Sequence, residues 1–263
     1  MNGLHDPGLD VDSLLALRPT TCRTDTAAIA SIVDRIGNHL LRHDGYVAFS
    51  GGKDSMVALD LARRADPDVP VVFFDSGLEF PETLDFIRAV ASEWNLDLHR
   101  IAADPPLLDV LADTGMWDHT ALASRTVDLH RILISDPARR AHGLFGSGEV
   151  WGVRADESAG RRVLYASQGR DGVISRVDGT VVYGPVWNWS TADVWSYLRG
   201  RQLPVNPLYD KLTRLGVPAT HRRASHILDG GHLDRGRLTW IRRGWPALFE
   251  QLADVLPRVR QMT

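Results

Sequence analysis

Cysteine is almost absent from this sequence: its 263 residues include one, Cys22. A single thiol cannot close an internal disulfide, and it cannot supply the several thiolates that an iron–sulfur cluster takes from its protein. We therefore expect no iron–sulfur cluster, and the composition fits a reducing, cytoplasmic setting. A lone thiol can still carry a persulfide, so Cys22 stays a candidate sulfur relay.

Long apolar runs and a strong net charge are lacking as well. No stretch of about 18 or more apolar residues is present, and no charged start is followed by an apolar segment. We therefore expect a chain that neither spans a membrane nor carries a usual export signal. The formal net charge of −3 excludes a global basic field that would attract nucleic acid.

Basic residues are nevertheless dense toward the end of the sequence. They form either a basic surface or the solvated face of a helix. The arginines concerned are Arg214, Arg222, Arg223, Arg235, Arg237, Arg242 and Arg243.

Apolar periodicity predicts alternating helices and strands from residue 26 onward. Buried strands are predicted at residues 46–49, 69–74, 98–101 and 149–153, and a helix capped by Asp25 or Thr26 precedes the first of them. Strands that alternate with helices pair in parallel through right-handed crossovers. The predicted fold class is therefore α/β, with a doubly wound and mostly parallel sheet.

A change in character near residues 204–207 sets the predicted domain boundaries, because the chain beyond it is Arg-rich and helical. We divide the sequence into an N-terminal arm (1–25), a core domain (26–210) and a helical C-terminal extension (211–263).

The loop after the first predicted strand has the composition of a phosphate site. Ser-Gly-Gly-Lys-Asp-Ser occupies residues 50–55, between a buried strand and a helix. Glycines let the backbone approach a phosphate, amides at a helix start bind anions, and a lysine adds a point charge. The spacing is not that of a Walker A loop. A glycine turn with an incidental lysine is the alternative, but the context favours nucleotide binding by Ser50, Gly51, Gly52, Lys53, Asp54 and Ser55.

Two carboxylates in this region are predicted Mg²⁺ ligands. Asp75 ends the second predicted strand, and Asp54 stands at the start of the helix that follows the loop. Mg²⁺ in nucleotide sites is held by one or two carboxylates and by phosphate oxygens. The alternatives are structural: Asp75 would cap the turn at Gly77, and Asp54 would cap its helix.

A second group of candidates follows the fourth predicted strand. Arg154 comes directly after that strand, and Glu157 is placed to orient one of the arginines. Guanidinium groups bind phosphate oxygens in pairs and stabilise charge on a transferring phosphoryl group. A surface loop of salt bridges is the alternative. We predict catalytic roles for Lys53, Arg154 and Arg161, and nucleotide contacts for Asp75, Gly152 and Arg162.

Four stretches of the sequence resemble the phosphoadenosine-phosphosulfate (PAPS) reductase family of ATP pyrophosphatases. Residues 50–55 resemble the PP-loop, and residues 73–83, with Asp-Ser-Gly and Phe-Pro-Glu-Thr, resemble the second-strand motif. Residues 152–158 resemble the Gly-x-Arg-x-x-Glu-Ser element, and residues 185–210 resemble a third element that ends in Asn-Pro-Leu-Tyr-Asp. The resemblance implies an adenine nucleotide alpha hydrolase-like fold with ATP and Mg²⁺ as cofactors.

The sequence departs from the family at the residues that carry reduction. Sulfonucleotide reductases attack with a cysteine near the C terminus, and residues 233–263 contain none. Cluster-bearing relatives place cysteines after the Leu-Tyr-Asp segment, and residues 215–221 contain none. We therefore expect nucleotide chemistry without reduction: an acceptor oxygen attacks the α-phosphorus of ATP, and pyrophosphate leaves.

The acceptor is less constrained. The resemblance extends to the ATP pyrophosphatase component of DNA phosphorothioation systems, which implies AMP transfer to a DNA backbone phosphate and a cysteine desulfurase as sulfur donor. The Arg-rich extension would suit DNA contact. The alternatives are adenylation of a small molecule or tRNA for thiolation or amidation, and a subunit that binds ATP without turnover. We also expect a homo-oligomer and no membrane partner.

Overall fold

The protein is described by a computed structural model of residues 25–117, 125–168, 170–224 and 237–261. Its described strands are β1 (Gly45–Ala48), β2 (Val71–Asp75), β3 (Leu98–Ala102), β4 (Gly148–Val150), β5 (Val173–Ser175) and β6 (Val181–Tyr183). They form one six-stranded sheet in the order β3-β2-β1-β4-β6-β5. Only β5 runs antiparallel to its neighbour among these strands. The predicted α/β class with a mostly parallel sheet is confirmed.

Helices cover the sheet and continue beyond it. None of the described helices is both long and apolar enough to cross a membrane. A π-helical turn (Arg131–Ser135) leads into the fifth helix. The α-helices are α1 (Thr26–His43), α2 (Lys53–Ala65), α3 (Pro81–Glu93), α4 (Leu107–Thr114), α5 (Asp136–Phe145), α6 (Ala159–Ser167), α7 (Thr191–Gly200), α8 (Leu208–Arg214), α9 (Arg237–Gly244) and α10 (Pro246–Val255).

The first helix shows how sequence pattern sets local structure. The Asp25 side chain accepts a hydrogen bond from the Ala28 amide at 2.7 Å and caps the helix, as predicted. Apolar residues at helical spacing then face the core, and Ile29, Ile32 and Ile36 are buried. This packing sets α1 against α2 and the sheet.

Strand order reverses at β1, which lies between β2 and β4. Val47 pairs with Val71 on one side and with Val150 on the other. Ligands of open α/β sheets bind beyond the carboxyl ends of the strands at such a reversal. The fold therefore places residues 50–55, which follow β1, at the expected ligand position.

The β5–β6 hairpin was not predicted from the sequence. Each of its strands has three residues, so neither is long enough to show an alternating pattern. The strand predicted at residues 149–153 is also shorter than expected, since β4 ends at Val150.

The described residues form two main hydrophobic clusters. The first fills the space between the sheet and α1, α2, α3 and α7. The second joins α4, α8, α9 and α10 to Leu78 and Phe80, which follow β2. Short helices are marginal alone, so the C-terminal helices depend on this shared core. The predicted boundary between residues 210 and 211 falls inside α8, and residues 1–24 of the predicted arm, Cys22 among them, lie outside the described residues.

Candidate functional site

The loop at residues 50–55 turns from β1 into α2. Gly51 has φ of +70°, a left-handed conformation that glycine adopts without strain. A Cβ atom there would lie 3.1 Å from Ile87 and 3.2 Å from Thr83. Gly52 has φ of −83° and stands at the cap position of α2. The glycine requirement is therefore conformational at Gly51 and not at Gly52.

The loop hydroxyls bind within the loop. The Ser50 amide and hydroxyl donate to Ser55 Oγ at 3.3 and 3.2 Å. The Ser55 hydroxyl donates in turn to the Gly52 carbonyl at 3.0 Å. These bonds hold the loop shape, and nucleotide contact by the two serines stays a prediction.

Two charged residues of the loop and one that follows β4 form a chain of ion pairs. Lys53 Nζ lies 2.5 Å from Asp54 Oδ2, and Asp54 Oδ1 lies 2.6 Å from Arg154 Nε. Arg154 is buried, and its terminal nitrogens donate to the Trp189 carbonyl at 3.0 Å and to Thr191 Oγ1 at 3.1 Å. This arrangement ties Arg154 to the scaffold and makes it a positioning residue for Asp54 and Lys53.

Gly152 lies behind the loop and packs against the backbone of α2. A Cβ atom on Gly152 would come within 2.5 Å of the Asp54 carbonyl carbon and of the Ser55 nitrogen. Only glycine permits this approach between the end of β4 and the first turn of α2. In this structure its role is packing, and its predicted nucleotide contact stays a prediction.

The remaining arginines lie on α6. Glu157 accepts hydrogen bonds from the Arg161 side chain and, at 3.1 Å, from the Arg154 amide. The prediction that Glu157 orients an arginine is confirmed. Arg162, one residue further, is exposed.

Asp75 uses both carboxylate oxygens within the protein. Oδ1 accepts from the Gly77 amide at 2.7 Å, so the turn-capping alternative is confirmed. Oδ2 accepts from Arg100 Nε at 2.5 Å. In the described part of the chain, no group of three or more His, Cys, Asp or Glu residues could hold a metal. Mg²⁺ that is bound to nucleotide phosphates needs only one or two protein carboxylates. Ligation by Asp54 and Asp75 therefore remains a prediction, and it requires each carboxylate to give up a hydrogen bond that it now accepts within the protein.

Glu79 is a site candidate that sequence reasoning missed. Its Oε1 accepts a hydrogen bond from Ser76 Oγ at 2.7 Å. Its Oε2 is buried without a partner among the described residues. Burial, reinforced by the charge of Asp75, raises the pKa of Glu79 to about 7. The sequence feature that could have pointed to Glu79 is its position four residues after Asp75, close to the end of β2.

A segment distant in sequence lies on the loop, and we name residues 206–224 the cover segment. The Lys53 amide donates to Tyr209 Oη at 3.0 Å. Asn206 Nδ2 donates to the Gly51 carbonyl at 3.1 Å. The cover segment therefore occupies one amide of the predicted phosphate site.

Further bonds attach the cover segment to the start of α3. Asn206 Nδ2 also lies 3.1 Å from Thr83 Oγ1, which donates to the Ala224 carbonyl at 3.1 Å. Asn206 Oδ1 accepts from the Leu208 amide at 2.9 Å and so holds a turn at the start of the cover segment. The same residue holds the loop, which the sequence pattern did not indicate.

Comparison with known proteins agrees with this geometry. A family model described as the phosphoadenosine phosphosulfate reductase domain matches residues 45–220, more than half of the chain. The phosphoadenosine 5'-phosphosulfate reductase of Aliivibrio salmonicida is 33% identical over 184 residues, which cover 66% of each chain. An uncharacterized protein of Methanocaldococcus jannaschii is 28% identical over 222 residues, which cover 80% of this chain and 41% of that one. The chain thus spans two thirds or less of the length of these relatives.

A solved structure shows the same fold. The phosphoadenylyl-sulfate reductase of Candida auris, in a phosphate complex, aligns with a TM-score of 0.50 and 21% identity. The alignment covers 71% of this chain and 91% of that one. By the extent of the family match, this chain belongs to the phosphoadenosine phosphosulfate reductase domain family.

Proposed function

We propose that this chain is an ATP pyrophosphatase that binds ATP at residues 50–55 and transfers AMP to an acceptor oxygen. The observation that carries the proposal is the position of the loop, which joins a buried strand to a helix start where strand order reverses. Lys53 stands at that helix start with a nearby carboxylate. Membership in a family named for an adenine nucleotide substrate supports the same class of ligand.

The proposed reaction breaks one bond and forms one. An acceptor oxygen attacks the α-phosphorus, the bond to the bridging oxygen breaks, and pyrophosphate leaves with the electron pair. Lys53 and Arg161 would neutralise phosphate charge, while Arg154 positions Asp54. Mg²⁺, when bound, would supply further charge neutralisation, and Asp54 is the carboxylate best placed to hold it once Lys53 moves to the phosphates.

Nucleotidyl transfer fits this chain better than reduction of a sulfonucleotide. Its single thiol, Cys22, lies outside the range matched by the family model. A reductase of the kind that the sequence resembles needs an attacking cysteine, whereas attack on the α-phosphorus needs none.

The test is release of pyrophosphate from ATP with and without Mg²⁺. We expect Lys53→Ala to lower ATP affinity or turnover by about 10- to 100-fold, as for loss of a charged hydrogen bond. The matched control is Arg199→Ala, which removes an exposed cation on α7, outside the loop and the cover segment. Equal ATP affinity and turnover in wild type and Lys53→Ala would refute the proposal. Binding without pyrophosphate release, with every acceptor tried, would favour the non-catalytic alternative.

For the acceptor, we propose a DNA backbone phosphate that is activated for replacement of oxygen by sulfur. Arg214, Arg223 and Arg243 are exposed, and they belong to the Arg-rich extension. Arg222 is half-buried and donates to the Val217 carbonyl at 2.8 Å, so it supports the local fold. Arg235 and the Arg237 side chain lie outside the described residues.

DNA binding and sulfur supply can be tested separately. Arg223→Gln with Arg243→Gln should weaken DNA binding and reduce its salt dependence while ATP affinity stays unchanged. The control pair is Arg88→Gln with Arg199→Gln, which removes two exposed arginines elsewhere. A cysteine desulfurase is the proposed sulfur donor. If the Arg223→Gln, Arg243→Gln variant loses its complex with the desulfurase but still binds DNA, the two arginines contact that partner and not DNA. If tRNA or a small molecule stimulates pyrophosphate release and DNA does not, the acceptor assignment fails and the pyrophosphatase assignment stands.

A further inference from the structure

A second concavity lies between α1 and the β5–β6 hairpin, and it shares no lining residue with residues 50–55. Its volume is about 210 Å³. A buried water needs only about 10–15 Å³, so this space suits a small organic molecule. Its polar lining includes Arg35, His39, Arg42 and His43 from α1, and Asp171 and Tyr183 from the hairpin side.

The cavity carries an excess of positive charge. Arg35 and Arg42 are seven residues apart and share one side of α1. Neither forms an ion pair within the described ranges, and Asp171 is the one acidic residue of the lining.

Two aromatic side chains of the lining, His39 and Tyr183, are buried behind the exposed arginines. The rings of His39 and Tyr183 lie 5.8 Å apart, and those of His39 and His43 lie 5.2 Å apart. Burial and the neighbouring charge of His43 lower the pKa of His39 to about 4, so its ring is neutral near pH 7.

The β5–β6 hairpin beside α1 distinguishes this cavity from an ordinary solvated helix face. The apolar side of α1 packs on the first hydrophobic cluster, as amphipathicity requires. Its polar side would normally face open water on all sides, but here the hairpin stands beside it and forms one wall of a concavity that stays open to solvent. Asp171, with φ of +55°, precedes the hairpin in a left-handed conformation that few non-glycine residues adopt.

We propose that this cavity binds a small organic anion, whose carboxylate or phosphate meets the exposed Arg35 and Arg42. Paired guanidinium groups favour either acid group. This site is independent of the ATP site and does not rest on the proposed function.

The experiment is a two-dimensional NMR titration of the full chain with benzoate and, separately, with phenyl phosphate. We expect at least one probe to shift signals of residues 35–43 and of Tyr183 saturably. Arg35→Gln with Arg42→Gln should weaken that binding by about tenfold or more, as expected for charged hydrogen bonds. Arg199→Gln, which removes an exposed arginine on α7, and Lys53→Ala, which removes the loop charge, should leave it unchanged.

The two probes also identify the acid group. Binding of benzoate alone assigns a carboxylate, and binding of phenyl phosphate alone assigns a phosphate. The proposal is overturned if neither probe gives saturable shifts, if the shifts are confined to residues 50–55, or if a double variant with wild-type circular dichroism binds equally well.

Discussion

The loop at residues 50–55 and the cover segment touch each other but are held by different kinds of contact. The loop is fixed by bonds between near neighbours, such as those that join Ser50 and Ser55. The cover segment reaches it across the chain, because Asn206 and Tyr209 bind loop atoms 155 and 156 residues away. The loop can therefore be predicted from a short stretch of sequence. The contact of the cover segment with the loop depends on tertiary packing and cannot.

The largest loss of stability is expected from a substitution that breaks the ion pairs of Asp54 with Lys53 and Arg154. Asp54→Ala leaves the buried Arg154 without its carboxylate and should lower the free energy of unfolding by about 3–5 kcal/mol. The control is Asp85→Ala, whose exposed pair with Arg88 should contribute less than about 1 kcal/mol. Urea denaturation measures both values. Equal losses in the two variants would show that Arg154 does not depend on Asp54.

The next effect concerns the approach of β4 to the loop. Gly152→Ala would place a Cβ atom 2.5 Å from the backbone of α2, and we expect a loss of about 1–3 kcal/mol from overpacking. Gly160→Ala is the matched control, because no described atom outside its own stretch of helix lies within 4 Å of its Cβ position. Thermal unfolding should separate the two variants. A neutral Gly152→Ala would mean that the loop and β4 separate easily.

The loop and the cover segment also show which features could be predicted from the sequence and which could not. Residues 50–55, the turn cap at Asp75 and the pairing of Glu157 with Arg161 follow from local motifs, and the structure brings them to one end of the sheet. The β5–β6 hairpin could not be predicted because three-residue strands carry no period. The Tyr209 contact could not be predicted because its partner, Lys53, is distant in sequence and the bond uses a backbone amide that has no side-chain signal.

A smaller effect, dependent on pH, is expected where the loop after β2 meets the second hydrophobic cluster. The folded pKa of Glu79, about 7, lies above its ordinary value of 4.5, so the folded state holds an extra proton between these pH values. Stability should therefore fall as pH rises from about 4.5 to 7.

Glu79→Gln removes this dependence. At pH 8 the variant should be more stable than wild type by at most about 3 kcal/mol, and the difference should close near pH 4. Urea denaturation across this range measures it. A difference that does not vary with pH would assign the effect to packing and not to the proton.

The smallest effect is expected from removing the hydrogen bond between the cover segment and the loop. Tyr209→Phe removes the hydroxyl that accepts from the Lys53 amide and should lower stability by about 1 kcal/mol. If that amide binds phosphate, as proposed, ATP affinity should rise by about 2- to 10-fold. Calorimetry measures the affinity.

The matched control is Tyr197→Phe. Its hydroxyl donates to Asp60 at 2.6 Å, within the first hydrophobic cluster. The variant should lose comparable stability and keep the wild-type ATP affinity. Weaker ATP binding in Tyr209→Phe would instead mean that the hydroxyl helps to hold the nucleotide.

The hydroxyl of Tyr209 occupies the Lys53 amide, which the proposed function assigns to an ATP phosphate. If ATP phosphates take the Lys53 amide, the measured dissociation constant equals the intrinsic one divided by the fraction of molecules in which that amide is free. A bond of about 1 kcal/mol keeps that fraction near one in six. Linkage is reciprocal, so bound ATP loosens the cover segment by the same factor that an opened cover segment tightens ATP. A substrate that draws residues 206–224 away from the loop would thereby raise ATP affinity at the moment when both are present.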